Sequence, residues 1–152
     1  MVAPMAEQTF RVAANGGSAA DELMISLLAA ADAVERRCEE ALARVELSMA
    51  KFDALSLLAG EGEPVTLGAC ATSLECARSN VTQLIDRLEA EGLVVRVEIP
   101  GDRRAVCARI TELGRARQAA GEKLLAQVRA DFRRAVAGTD LQTLETALEA
   151  LL

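Results

Sequence analysis

Apolar and polar positions along this chain follow two periods, and the change from one to the other falls inside a single stretch. From Arg78 to Glu91, Val81, Leu84, Ile85 and Leu88 recur at the three-and-four spacing of one helical face, while Ser79, Thr82, Gln83, Asp86 and Arg87 fall on the opposite face. Gly92 predicts the helix stop, because glycine accepts the left-handed conformation found just past a helix end. Leu93, Val95, Val97 and Ile99 then alternate with Val94, Arg96 and Glu98, the period of a strand with one buried face. Pro100 and Gly101 suit the two central positions of a type II turn. Val106, Ala108 and Ile110 return with the same alternation, which places Asp102, Arg103 and Arg104 at the tip of a two-stranded hairpin.

The rest of the chain reads as helices around this stretch. Residues 1–17 form a small irregular leader ending in Asn15-Gly16-Gly17, expected to be mobile, with docking of Phe10 and Val12 on the body as the alternative. Ser18 with Asp21 resembles a capping box, and Leu23, Leu27, Ala31, Val34, Cys38, Ala41 and Val45 then step along one face of a long helix. Ser48 caps a second helix whose Phe52, Leu55 and Leu58 face inward, with Gly60 and Gly62 at its end. Pro64-Val65 is long enough only for a sheet edge, and Thr66 caps a short helix from Leu67 to Leu74. Thr111 caps a long helix to about Ala137, stopped by Gly138. Thr139-Asp140 recaps, and Leu141, Leu144, Leu148, Leu151 and Leu152 make a final helix apolar enough to need a partner surface.

The polar face of the Arg78–Glu91 helix is unusual in kind. A solvated face is ordinarily filled with Lys and Glu, whereas Arg78, Ser79, Asn80, Thr82, Gln83 and Arg87 offer the donors and acceptors that match base edges and phosphates. Taken alone it could equally be an ordinary amphipathic helix; the hairpin and the short helix before it favour DNA recognition. Two bare arginines on a projecting tip add little to folding, since exposed ion pairs contribute about 0–1 kcal/mol. They suit a tip that meets phosphates or enters a narrow minor groove, Arg104 in the groove and Arg103 beside a phosphate, with Asp102 orienting them.

Composition narrows the classes. The chain has 152 residues, enough for one domain with a core, and its three Phe, no Trp and no Tyr leave an aliphatic interior typical of packed helices. The net charge of -6 opposes bulk attraction to DNA. Its excess lies in residues 1–65, with eleven acids against five bases, while 66–110 and 111–152 each balance six against six. Binding would therefore rest on a few placed arginines. The absence of histidine removes the commonest general base and metal ligand, and no phosphate loop or paired-carboxylate pattern is present, so an enzyme is not expected. No cofactor and no metal are expected either. With no long apolar run and no basic leader, the expected location is cytoplasmic, without membrane contact.

The run SNVTQLIDRLEAEGLVVR, followed by DRR and then ITELG, resembles the winged helix-turn-helix of MarR-family transcriptional regulators. The likeness covers most of the chain from about Ala19, with its specific motifs between Thr66 and Gly114. It implies a mainly α fold with a small β-hairpin wing, in which 48–111 is the DNA-binding lobe and 18–47 with 112–152 form a helical dimerisation region. It also implies a homodimer on double-stranded DNA, with the helix from Arg78 in the major groove and the wing in the minor groove. The family's Asp-x-Arg wing motif falls on Asp102 and Arg104. The implied function is that of a regulator, read as a repressor of a pseudo-palindromic operator, released by a small-molecule effector or by thiol oxidation. The alternative is a winged-helix module that binds protein and makes no use of its arginines. This sequence departs from the family's pattern at Glu75, where the turn more often has glycine, and at Ala77, where a Ser or Thr cap is usual.

Four cysteines show no CxxC pair. Cys38 and Cys70 lie on apolar faces, where a free thiol acts as a small hydrophobe. Cys76 and Cys107, each near an arginine, are the expected accessible thiols and the candidates for a redox role, the alternative being thiols with no sensing role.

Overall fold

A computed structural model describes residues 18–61, 64–99 and 102–151, and for residues 98, 99 and 102–105 the backbone alone. The expectations for the 1–17 leader, for Gly62, for the Pro100-Gly101 turn, for Leu152 and for the side chains of Asp102, Arg103 and Arg104 lie outside the described residues. In chain order the elements are α1 (Ala19–Ala43), α2 (Met49–Glu61), β1 (Val65–Thr66), α3 (Leu67–Ser73), α4 (Arg78–Ala90), β2 (Val94–Ile99), β3 (Asp102–Ile110), α5 (Glu112–Ala135) and α6 (Leu141–Glu149). This is the mainly α architecture with a small sheet that the pattern predicts. The chain separates into two units, one ending at Arg37 and the other running from Cys38 onward.

In the first unit, α1 begins at a reciprocal cap. The Ser18 backbone N–H donates to Asp21 Oδ2 at 2.6 Å, and the Asp21 N–H donates back to Ser18 Oγ at 3.4 Å. Aspartate thus does here what glutamate does in the usual capping box. Leu23, Met24 and Leu28 are exposed in the single chain.

The second unit holds one aliphatic core. Leu42, Leu47, Phe52, Leu55, Leu58, Leu67, Cys70, Val81, Ile85, Leu88, Leu93, Val94, Ala108, Ile110 and Leu125 form a single buried cluster. Each fully buried Leu, Ile or Val contributes about 1.5–3 kcal/mol, so these few side chains dominate the stability of the unit. The predicted caps are present: Ser48 Oγ accepts from Lys51 N, Thr66 Oγ1 from Ala69 N, Thr111 Oγ1 from Gly114 N, and Asp140 from Gln142 and Thr143 N. Hydrogen bonding to the Thr143 hydroxyl and then to backbone N–H groups holds the Asp140 carboxyl below its ordinary value.

The sheet has three strands in the order β1-β3-β2, both pairings antiparallel. Val65 and Thr66 pair with Ala108 and Cys107, so the predicted sheet edge becomes a third strand and β3 lies at the centre. The predicted phase of β2 needs correction. Val94 is fully buried and Val95 is 37% exposed, because the register sets Val94 opposite Ile110 and Arg96 opposite Ala108. Residues paired across a sheet share a face, so the buried side of β3 draws Val94 and Arg96 inward with it. The register shifts between Glu98 and Ile99, and Ile99 pairs with Asp102. Asp102, Arg103 and Arg104 therefore form the irregular start of β3, next to the turn at the hairpin tip, as the pattern predicts.

The helix ends fall close to expectation, α2 beside Gly60 and α5 two residues before Ala137. α2 continues through Gly60 to Glu61, and α5 ends at Ala135, where the Val136 N–H closes on Phe132 O before Gly138 is reached. In α6 no residue is buried, and Leu141, Leu148 and Leu151 are all exposed.

Candidate nucleic-acid interface

The pair α3 and α4 is set by a turn of four residues. Leu74 N donates to Cys70 O and Cys76 N to Ala71 O, and between them Glu75 adopts φ 48°, the left-handed region that glycine occupies most readily. The departure read at Glu75 is thus accommodated by the backbone with no change in the turn. Ala77 has extended backbone angles and supplies no side-chain cap, while its carbonyl receives the N–H groups of Asn80 and Val81. The start of α4 is therefore left open to an external acceptor.

On α4, Val81, Ile85 and Leu88 are buried and Leu84 is half-buried. Arg78, Ser79, Asn80, Thr82, Gln83, Asp86 and Arg87 are exposed. The helix thus fastens to the core by its three-and-four apolar row and presents the whole set of predicted reading residues to solvent. Thr82 is partly committed, since its hydroxyl donates to the Arg78 carbonyl at 3.0 Å. Its oxygen lone pairs and its methyl group remain for an outside partner. Gly92 ends the helix at φ 72°, with Leu93 N donating to Leu88 O, and so turns the chain directly into β2.

Arg96 is the residue that sequence reasoning missed. Counted as the outward residue of an alternating strand, it instead lies on the inner side of β2 and reaches α4: Nη2 to Asp86 Oδ1 at 2.5 Å and Nη1 to Glu89 Oε2 at 2.5 Å. Hydrogen bonding to Asp86 raises its pKa, against the opposing effect of partial burial, with Glu89 adding to the rise. The available signal was the pair of acids three apart on the flank of the helix. It becomes legible only once the strand register is known. Arg109, opposite Val95 in β3, is also exposed and extends the set of cations near the wing.

The thiols divide differently from expectation. Cys76 is half-buried in the turn, but Cys107 is fully buried, so its expected accessibility does not hold. It occupies the central strand, with Val97 on one side and Thr66 on the other. Cys70 is buried as predicted, and burial pushes its thiol up, away from the reactive thiolate form. Among the described residues no group of three or more His, Cys, Asp or Glu could hold a metal ion, and no helix is long and apolar enough to cross a membrane.

Two surface cavities flank α5. One, of about 350 Å³, is ringed by Glu46, Lys51, Glu91 and Arg117, which form the ion pairs Lys51–Glu91 and Arg117–Glu46 at 2.6 and 2.7 Å. The other, of about 390 Å³, is lined by Arg44, Val45, three alanines, Lys123 and Leu124.

Comparison with known proteins agrees with this geometry. The family model described as the MarR family matches residues 47–106. The HTH-type transcriptional regulator PecS of Dickeya dadantii (strain 3937) is 32% identical over 83 residues, which covers 53% of this chain and 50% of that protein, so the chain spans half the length of that relative. Among solved structures, the transcriptional repressor CouR bound to a 23-mer DNA duplex is 32% identical, covering 85% of this chain and 89% of its own, with a TM-score of 0.67. A MarR family protein from Bacillus stearothermophilus is 28% identical with a TM-score of 0.61, covering 86% of this chain and 90% of its own. With a helix α4 left uncapped at its start, an adjoining strand pair and these likenesses together, the chain belongs to the MarR family of DNA-binding winged-helix transcriptional regulators.

Proposed function

We propose that the chain is a repressor that binds a pseudo-palindromic operator as a homodimer, acting in the cytoplasm and without enzymatic activity. The observation that carries this reading is the exposed polar face of α4, from Arg78 to Arg87, beside a hairpin that bears Arg103 and Arg104. In this reading Arg78, Ser79, Asn80, Thr82, Gln83 and Arg87 meet the major groove, and the uncapped start of α4 receives a phosphate. Arg104 enters the minor groove, Arg103 pairs with a phosphate, and Asp102 orients the wing. The 32% identity to CouR, a repressor bound to duplex DNA, supports the sign of regulation and the partner.

Residues 48–111 form the DNA-binding lobe, while 18–47 and 112–152 hold two chains together. Support for the second chain comes from the exposed apolar residues Leu23, Met24 and Leu28 of α1, and from Leu141, Leu148 and Leu151 at the end of the chain. Isolated exposed leucines are ordinary; several on elements that bury little of their own are not.

Release follows from a small ligand or from oxidation. The cavity at Glu46, Lys51, Glu91 and Arg117 adjoins the last turn of α4, so a ligand that separates Lys51 from Glu91 would shift the reading helix. Of Cys76 and Cys107, the half-buried Cys76 is the one open to an oxidant.

Arg104→Ala tests the reading. Against a duplex recovered by the wild-type chain from a random pool, fluorescence anisotropy is expected to show at least ~10-fold weaker binding and a log–log salt slope smaller by about 1, with unchanged melting temperature. Equal affinity and slope at two salt concentrations would remove the wing from the interface. Absence of any duplex binding by the wild type would instead favour a module that binds protein.

A further inference from the structure

We propose that Arg96 is a positioning residue for DNA binding, acting through Asp86 and Glu89: its guanidinium masks the two carboxylates on the flank of α4, so that they do not oppose the phosphates alongside. The inference rests on the DNA-binding reading above. It starts from a conflict on the helix itself. α4 presents Gln83 and Arg87 on its exposed side, yet Asp86 lies in the same turn, with its side chain 55% exposed. Glu89 follows at 39% exposure. Carboxylates so placed would face a polyanion, and the balance of six acids against six bases over residues 66–110 leaves no surplus charge to offset them.

Arg96 resolves the conflict from behind. Its side chain is 28% exposed, less than either acid, and it reaches them from the face of β2 that lies opposite the buried Ala108. Each terminal nitrogen takes a different acid, and the Arg96 backbone N–H also donates to Glu89 Oε1 at 3.2 Å. A planar fork with two terminal nitrogens can span two carboxylates at once, which a lysine ammonium does less well. Half-exposed ion pairs add little to folding, so stability alone is a poor reason for this arrangement.

The test uses the full chain and the duplex that the wild type retains, read by anisotropy across a salt series. Arg96→Gln is expected to bind at least ~10-fold more weakly at low salt, with a flatter salt slope, because it bares two negative charges. Adding Asp86→Asn and Glu89→Gln to Arg96→Gln should restore affinity to within ~3-fold and return the slope, since the charges that needed masking are gone. Arg96→Lys should fall between. Thermal melts of the same variants separate this from a structural role: a merely structural Arg96 would lose stability and affinity together, and the neutral triple variant would recover neither. The proposal is overturned if Arg96→Gln binds as the wild type does, or if its loss persists in the triple variant. A wild type that retains no duplex at all would overturn the DNA-binding reading and not the mask as such.

Discussion

Gly114→Ala is expected to destabilise the chain by about 3 kcal/mol or more, the upper end of what overpacking a well-packed interior costs. A Cβ at this position would stand 2.2 Å from the Leu93 carbonyl oxygen and 2.8 Å from Ile110 Cγ1. The first of these is backbone and cannot rotate away. Neither can it easily retreat, because the Thr111 hydroxyl lies 2.8 Å from Gly92 O and 3.1 Å from Leu93 O while accepting the Gly114 N–H at 3.0 Å. Thr111 N also donates to Leu93 O, so one residue ties the start of α5 to the place where α4 hands over to β2. The glycine lets the helix sit on that joint. Urea denaturation followed by circular dichroism measures the effect, with Gly60→Ala as the control, since a Cβ at Gly60 meets nothing within 4 Å. The control should be neutral or more stable by up to about 1 kcal/mol. A loss below about 1 kcal/mol at Gly114 would show that the joint is looser than the contacts require.

Gln83→Ala combined with Arg87→Ala is expected to weaken binding to the recovered duplex by about 2–6 kcal/mol, taking about 1–3 kcal/mol for each lost base-edge contact. Both side chains are exposed on α4 and neither contributes to the buried cluster, so the melting temperature should barely move. Binding to random duplex should change much less than binding to the selected one. That difference is the signature of base reading. Equal losses on both duplexes would reassign the two residues to phosphate contacts, which fix position without carrying sequence.

What the sequence disclosed was the local chemistry. Caps at Ser18, Ser48, Thr66, Thr111 and Asp140 are decided within three residues, and each is found where it was expected. Gly92 and the amphipathic row on α4 were equally plain, and even the left-handed Glu75 and the uncapped Ala77 could be anticipated from where glycine and serine were missing. What stayed hidden was decided at a distance. Leu93, Val94, Val95 and Val97 fit either phase of a strand, and only the pairing of Val94 with Ile110 chooses between them. The same choice carries Arg96 to α4, so the ion pairs with Asp86 and Glu89 inherit that illegibility. Cys107 looked accessible because it alternates in phase with the exposed Arg109, and a sheet edge at Pro64-Val65 does not say which residue of β3 it will pair with. The apolar rows of α1 and α6 were legible, but what covers them was not, because a pattern of leucines states the need for a surface and not its source.

Two copies of α4, related by a two-fold axis, are expected to read successive turns of one duplex. Sedimentation of the full chain with a labelled 25-base-pair form of the recovered duplex, combined with hydroxyl-radical footprinting of that complex, tests this most directly. Two chains per duplex and two protected segments about one helical turn, ~34 Å, apart are the expected result. One chain per duplex, or a single protected segment, would contradict it.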